Sequence, residues 1–167
     1  MGRRVPARSV AKPNRLSHFD SRGRVRMVDV SGKPSTERTA VAQGFVRISP
    51  RALSRLPENP KGDPLEIARI AGIAAAKRTS DLIPLCHPLP LTHIDVQARV
   101  CENGVELLAT VTTTASTGVE MEALTAVSVG ALTVYDMCKA MDPAMEITGI
   151  VLLEKKGGRR GTYRRVR

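Results

Sequence analysis

An α+β fold is predicted by three observations on the sequence. First, two segments begin with a helix-capping pattern and continue with apolar residues at helical spacing. Second, an Asn-Gly pair separates two runs in which apolar and polar residues alternate. Third, β-rich runs stand before the first helix and after the second. The elements follow the order strand, helix, strand, strand, helix, strand. That order predicts a ferredoxin-like βαββαβ fold, an antiparallel sheet with both helices packed on one face, here with a short extra helix.

The first strand is predicted at residues 41–49, where the run VAQGFVRIS mixes β-branched and aromatic residues with polar ones. A proline is well placed at the start of a helix, so Pro50 predicts a short helix that ends near Pro57. This is the extra helix of the fold.

The first long helix is predicted over residues 63–80. Asp63 is its N-cap, Pro64 takes the first helical position and Glu66 completes a capping box. A proline cannot continue a helix, so Pro84 sets the limit. Its apolar residues recur at helical spacing and predict a buried face, made of Ile67, Ile70, Ala71 and Ala74.

Asn103-Gly104 stands between the alternating runs HIDVQARV and VELLATVTTT, which predicts a β-hairpin with this pair at its turn. The segment Thr117-Gly118-Val119-Glu120 then repeats the capping-box pattern and predicts a long, largely buried helix to about Met141. The last strand is predicted from Met145 to Leu153, and the glycine-rich basic residues beyond Glu154 are predicted to leave regular structure.

Composition limits the class of protein. The chain has 167 residues, enough for one domain with its own core, and the predicted division is a flexible basic tail at 1–15 and a single catalytic domain at 16–167. A net charge of +10 favours anionic partners, whether nucleic acid, acidic lipid or a phosphorylated small molecule. Three cysteines without a Cys-x-x-Cys pair, no signal peptide and no membrane-spanning run predict a soluble cytoplasmic protein.

Four segments are candidates for chemistry, and each also has an ordinary structural interpretation. Lys61 precedes a helix N-terminus that favours anions, but it is equally compatible with a plain capped helix. His87, between Cys86 and Pro88, is a candidate acid, base or phosphate ligand, whereas Cys86 itself is more typical of a small buried residue. A metal site is disfavoured because only His93 lies nearby and no further ligand has suitable spacing.

The third segment pairs Asp136 with Lys139, three residues apart on one helix face, as a proton donor and acceptor or as a simple surface ion pair. Glu122 lies fourteen residues earlier, so one helix cannot aim both carboxyls at one atom. The fourth segment, 155–161, could close cations and glycine backbone round a triphosphate, or could be a solvated tail.

Together these segments resemble the cyclic pyranopterin monophosphate synthase family, also called the molybdenum cofactor biosynthesis protein C family. The resemblance runs from Met27 to about Gly161 and is carried by four motifs: MVDVSGKP at 27–34, KGDPLEIARIAGIAAAKRTSDLIPLCHPLPLT at 61–92, TGVEMEALTAVSVGALTVYDMCKAM at 117–141, and LLEKKGGRRG at 152–161.

The resemblance implies conversion of 3',8-cyclo-7,8-dihydroguanosine triphosphate to cyclic pyranopterin monophosphate with release of pyrophosphate, without a cofactor or metal. It also implies a homohexamer, a trimer of dimers, with sites at subunit interfaces. The residues that it places in catalysis are Asp136, Lys139, Lys61 and Lys77. Those that it places in substrate binding are Leu85, Cys86, His87, Met121, Glu122, Arg38 and Lys155.

Two alternatives compete with this interpretation. An RNA-binding module would share the charge and the order of elements, but such folds stack bases on aromatic residues of the sheet, and the four aromatics here are not clustered on a central strand. A structural protein would not need Asp136 and Lys139 for its function. No nucleic-acid or membrane partner is therefore expected.

Overall fold

The computed structural model describes residues 18, 20, 22–158 and 161–166. The predicted basic tail at 1–15 lies outside the described residues. Within them, the chain forms five strands, β1 to β5, and four α-helices, α1 to α4, with one 3-10 turn. The strands are Thr36–Arg47, Leu91–Cys101, Gly104–Ala115, Glu146–Lys156 and Tyr163–Arg164; the helices are Pro50–Leu53, Pro64–Ala76, Thr79–Leu82 and Glu120–Cys138; the 3-10 turn is Leu56–Glu58.

The sheet has the order β2-β3-β1-β4-β5, and every paired strand is antiparallel. Helices α2 and α4 pack against each other and against the sheet. Alternate residues of β1 and β3 are buried beneath them, and these join residues of both helices in one hydrophobic cluster. The α+β, ferredoxin-like prediction is confirmed.

The bounds of β1 and β4, and the presence of β5, differ from the prediction. Strand β1 begins at Thr36, five residues before the predicted start, and β4 continues to Lys156. Beyond Glu154 the prediction is correct for Gly157 and Gly158, which lie outside regular structure, but Lys155 and Lys156 still belong to β4, and Tyr163–Arg164 pair with it as β5. Glu154 pairs with Arg164 in register and by an ion pair of 3.2 Å. This return contact lies too far along the chain for local patterning to signal it.

Helix α2 begins as predicted but buries a different face. Asp63 caps it by accepting from the backbone N–H groups of Leu65 and Glu66. The helix ends at Ala76, and residues 79–82 form the separate short helix α3. The predicted face was wrong, since Ile67 and Ile70 are 41% and 56% exposed. The buried face consists of small residues, Ala68, Gly72, Ala75 and Ala76.

Close helix packing explains this choice of small residues. A Cβ atom added at Gly72 would lie 2.9 Å from the backbone oxygen of Ala126 in α4, and one at Gly130 would lie 2.6 Å from Leu107 of β3. Bulky side chains at these positions would force the layers apart. The glycines and alanines therefore let α2 lie directly on α4, and the isoleucines point outward.

The hairpin is confirmed, with its turn shifted by one residue. Cys101 pairs with Gly104, so Glu102 and Asn103 form the turn. Gly104 is the first residue of β3, and a Cβ atom there would collide with the backbone oxygen of Val46 and the ring of Phe45. The glycine is needed for close strand approach and not for an unusual backbone angle.

Helix α4 is largely buried, as predicted, but its capping box is not formed. The helix begins at Glu120, its N-cap is Val119, and that residue makes no side-chain capping bond. Glu120 instead accepts a hydrogen bond of 2.7 Å from Lys155 of β4. The helix ends at Cys138, three residues before the predicted end. Across the described residues, no helix combines the length and the apolar character needed to cross a membrane.

Candidate active site

A cavity of about 840 Å³ lies at the N-terminal end of α4. Its walls are the first residues of α4, the loop after α3, the start of β1, the end of β4 and the extended segment 27–34. All seven residues predicted to bind substrate line this cavity: Arg38, Leu85, Cys86, His87, Met121, Glu122 and Lys155. The structure therefore brings together residues from four separate stretches of the chain.

One side of the cavity is cationic. Lys33, Arg38, Lys155 and Lys156 line it together with the backbone of Gly157 and Gly158. Both glycines have positive φ angles, +91° and +82°, and a Cβ atom at Gly158 would strike the guanidinium of Arg38. The absence of a side chain at Gly158 therefore leaves room for the guanidinium of Arg38 beside the backbone. Cations and exposed backbone N–H groups in such a concave surface suit phosphate oxygens.

The same cavity also contains a buried carboxyl group. Glu122 is only 4% exposed, and its Oε2 atom has no hydrogen-bond partner within the described part of the chain. Desolvation raises the pKa of Glu122 above its ordinary value, and the nearby negative charge of Glu120 raises it further. Burial, with a contribution from Glu122, also raises the pKa of the Cys86 thiol. Glu122 is therefore suited to hold a proton, and Cys86 is not a reactive thiolate.

His87 lies in the loop after α3 and reaches the same cavity. Its Nε2 atom lies 2.8 Å from the backbone oxygen of Val28. Segment 27–34, an early motif of the sequence, thus folds back over a loop some sixty residues later. A local reading of the sequence could not place these two stretches together.

A second group lies at the C-terminal end of α4. The ammonium of Lys139 donates to Asp136 Oδ1 at 2.7 Å, and Lys61 donates to Asp136 Oδ2 at 3.3 Å and to its backbone oxygen at 2.9 Å. We call Lys61, Asp136 and Lys139 the trio. The side chains are 44% to 58% exposed. Hydrogen bonds from Lys139 and then Lys61 lower the pKa of Asp136, and Asp136 raises the pKa of Lys139.

The structure keeps the trio apart from the cavity. None of its members is among the residues that line the cavity. Glu122 and Asp136 are fourteen residues apart on one helix, or about 21 Å at ~1.5 Å per residue. Lys77, the fourth residue predicted for catalysis, is exposed at the C-cap of α2 and belongs to neither group. Within one chain, the predicted site residues thus form two separate regions.

Several cavity residues were not singled out by sequence reasoning. Glu120 was assigned to a capping box, although its contact is the ion pair with Lys155. Lys33 stands inside the motif MVDVSGKP, which was the available signal for it. His18 and Ser116 also line the cavity, and neither belongs to a recognisable local pattern. In the ranges that the structure describes, no group of three or more His, Cys, Asp or Glu could hold a metal ion.

Comparison with known proteins agrees with the motifs. A model of the MoaC family matches residues 27–158. The chain is 61% identical over 153 residues to the cyclic pyranopterin monophosphate synthase 1 of Mycobacterium tuberculosis, covering 90% of each chain. It is 60% identical over 152 residues to the cyclic pyranopterin monophosphate synthase of a Roseiflexus species, covering 89% of this chain and 96% of the relative.

A second Mycobacterium tuberculosis relative, cyclic pyranopterin monophosphate synthase 2, is 54% identical over 164 residues, covering 97% of this chain and 98% of its own. These identities extend over nearly the whole chain, and the family match includes every wall of the cavity from segment 27–34 to Gly158. The chain belongs to the MoaC family.

Proposed function

We propose that this chain is a cyclic pyranopterin monophosphate synthase, a lyase of molybdenum cofactor biosynthesis. It converts 3',8-cyclo-7,8-dihydroguanosine triphosphate to cyclic pyranopterin monophosphate and releases pyrophosphate. The observation that carries the proposal is a single cavity that contains both cationic side chains and a buried carboxyl group whose pKa is raised. The names of the relatives support the same reaction.

The cationic side fits the triphosphate. Departure of pyrophosphate leaves negative charge on phosphate oxygens, and fixed cations stabilise that charge as it develops. Arg38 and Lys155 fill this role, with Lys33 and Lys156 beside them. The ion pair between Glu120 and Lys155 orients the lysine towards the cavity. These four cations give part of the chain's positive charge a phosphate partner that is not a nucleic acid.

The other side fits the guanine-derived rings, whose rearrangement requires repeated proton transfers. Leu85, Cys86 and Met121 supply contact surface, while Glu122 and His87 supply groups that exchange protons. Asp136 and Lys139 form a second acid–base pair, held with Lys61. Lys77 completes the proposed catalytic set. The reaction uses these side chains without a metal or cofactor.

The separation of the trio from the cavity supports a site completed by another subunit. A substrate of nucleotide size does not extend over the roughly 21 Å between Glu122 and Asp136 in one chain. In a symmetric dimer, the trio of one subunit can face the cavity of its partner. Exposed apolar side chains on α2 and α4, Ile67 at 41%, Ile70 at 56% and Leu132 at 58%, supply contact surface for such assembly. The proposed assembly is a hexamer built as a trimer of dimers.

The cytoplasm is the proposed location. Cys86, Cys101 and Cys138 are all free thiols. A reducing compartment keeps cysteines in this state. Residues 16–167 form the proposed single catalytic domain.

A coupled assay tests the proposal. Purified full-length protein is supplied with enzymatically made cyclised GTP intermediate, and the product is detected as its fluorescent oxidised derivative alongside released pyrophosphate. Wild type forms both products in equal amounts, with or without a chelator. Asp136→Asn and Lys139→Ala each lose activity by about 100-fold or more. Glu102→Gln, which removes an exposed carboxylate in the hairpin turn, retains it.

The absence of product from folded wild-type protein would refute the synthase proposal. Product from wild type and both variants at equal rates would keep the reaction but remove Asp136 and Lys139 from catalysis. A requirement for added metal would contradict the proposed chemistry, which uses side chains alone.

A further inference from the structure

Residues 27–34, the motif MVDVSGKP, form an extended arm along the cavity, and within the arm the proposed reaction assigns a role only to Lys33. Val28 and Val30 line the cavity and are half-buried, whereas Met27 and Asp29 are exposed. This alternation is that of an extended chain with one face against the protein. The arm belongs to none of the five strands, so its position depends on individual contacts.

Two local contacts shape the arm. Asp29 accepts a hydrogen bond of 2.9 Å from the backbone N–H of Ser31. The backbone N–H of Lys33 donates to the oxygen of Val30 at 3.0 Å, which closes a turn. Such bonds give the segment a defined shape, but they do not attach it to the rest of the molecule.

Two further contacts attach the arm. Ser116, in the loop between β3 and α4, donates its hydroxyl to the backbone oxygen of Lys33 at 3.1 Å. His87 contacts the backbone oxygen of Val28 through Nε2 at 2.8 Å. Ser116 and His87 thus hold the arm at its two ends, and both side chains line the cavity.

The contact at Val28 determines the state of the imidazole ring. A carbonyl oxygen can only accept a hydrogen bond, so Nε2 must carry a hydrogen. In neutral imidazole the other nitrogen, Nδ1, then holds the lone pair. Within the described residues, Nδ1 has no hydrogen-bond partner from the protein. The nitrogen that can gain or lose a proton is therefore Nδ1.

We infer that the arm fixes His87 in the tautomer with hydrogen on Nε2, so that Nδ1 alone exchanges a proton with the substrate, and that Ser116 is the positioning residue that holds the arm. The Nδ1 lone pair takes a proton from a substrate N–H or O–H group and gives the imidazolium ion, which later returns that proton. The Nε2 bond to Val28 is present in both states. The substrate step rests on the proposed synthase function, whereas the tautomer and the role of Ser116 do not.

Nitrogen NMR on the full chain, labelled with ¹⁵N at histidine, tests the tautomer without substrate. The chain has three histidines, and the signals lost in His87→Gln identify His87. In its neutral form, His87 shows a protonated Nε2 and an Nδ1 shift typical of a lone-pair nitrogen. Hydrogen on Nδ1, or an even mixture of the two tautomers, would overturn the inference.

Substitutions at Ser116 test the positioning role. Ser116→Ala removes the hydroxyl and moves His87 towards a mixture of tautomers, whereas Ser116→Thr keeps the hydroxyl and the single tautomer. Ser35→Ala is the matched control, since Ser35 is exposed, follows the arm directly and does not line the cavity. A single Nε2–H tautomer in Ser116→Ala would remove Ser116 from the positioning role.

Kinetic measurements distinguish the roles of the two ring nitrogens of His87. The amide of His87→Gln can still donate to Val28 but has no basic atom, so kcat falls by about 100-fold, as is typical for loss of a general base. Ser116→Ala lowers kcat by about tenfold with little change in KM, because misorientation of a general base weakens proton transfer more than binding. Equal losses in kcat and 1/KM would indicate a binding role instead. If wild type proves inactive, the NMR results still decide the tautomer.

Discussion

The two ends of α4 place similar groups in opposite electrostatic surroundings. At the N-terminal end, Glu122 is buried and its pKa is raised by desolvation. At the C-terminal end, Asp136 is exposed between two lysines and its pKa is lowered. One helix thus presents one carboxyl group whose pKa is raised and another whose pKa is lowered. The difference shows that environment, and not residue type, sets the direction in which each pKa shifts.

The cavity and the trio, at the two ends of α4, also differ in shape and exposure. The cavity is a concave site built from several separate stretches of one chain, while the trio is an open surface cluster. A surface ion pair between exposed side chains contributes little to stability. The trio therefore has no evident role in the isolated chain, and its proposed role requires a partner subunit.

The largest expected effect comes from mixing two inactive variants. Glu122→Gln disables the cavity and Asp136→Asn disables the trio, and each alone lowers activity by about 100-fold or more. If each site joins the cavity of one subunit to the trio of its partner, mixed dimers contain one intact site. Unfolding and refolding the two proteins together then restores about a quarter of wild-type activity, as random pairing in two-fold symmetry requires.

The control for this mixing experiment is a combination that cannot complement. Glu122→Gln mixed with His87→Gln, two changes in the same cavity, restores no activity. Recovery in that control, or its absence in the first mixture with refolded and assembled protein, would contradict a site shared between subunits.

A smaller effect is expected on the pH dependence of stability. The folded-state pKa of Glu122 lies above its ordinary value of 4.5. Its contribution to stability is therefore fully present below that value and is lost as the pH rises through the folded-state pKa. Glu122→Gln removes this dependence, so at pH 8 the variant is more stable than wild type by on the order of 1 kcal/mol, the scale of a buried polar group without a partner.

Urea unfolding at pH 4 and at pH 8, at one protein concentration, measures this difference. Glu102→Gln, an exposed carboxyl, is the matched control and unfolds like wild type at both pH values. Wild type and Glu122→Gln with the same pH dependence would show that folding does not raise the pKa of Glu122.

The smallest effect is expected at the trio. Lys139→Met removes the hydrogen bond that contributes most to the low pKa of Asp136, so this pKa rises towards its ordinary value of 3.8 while Lys61 still opposes the rise. Titration of the Asp136 carboxyl carbon by NMR measures the change. The melting temperature at neutral pH stays constant, because the pair is exposed. Lys77→Met is the control, since Lys77 makes no contact with Asp136 within the described residues.

An unchanged Asp136 titration in Lys139→Met would show that Lys61 alone sets its ionisation. A large loss of thermal stability in that variant would contradict the view of the trio as a surface cluster.

Local patterns in the sequence predicted much of the fold. The Asp63 cap and Pro64 marked the start of α2, and alternation around Asn103-Gly104 marked the hairpin, because these signals depend on neighbours within a few residues. Of the seven residues predicted to bind substrate, six lie in the quoted motifs and Arg38 lies outside them, and all seven line the cavity. The placement of Asp136 and Lys139 on one helix face followed from helical spacing alone.

Only the tertiary structure decided the remaining features, because they depend on contacts between distant stretches. Glu120 does not form the expected capping box and instead accepts a hydrogen bond from Lys155, thirty-five residues away. Small residues of α2 turned inward because α4 lies so close, which left Ile67 and Ile70 outside. The arm at 27–34 reached His87 through a backbone oxygen, which no side-chain pattern can signal. The sequence by itself determined which side chains are available to this protein, and packing decided which of them meet and in which direction their pKa values shift.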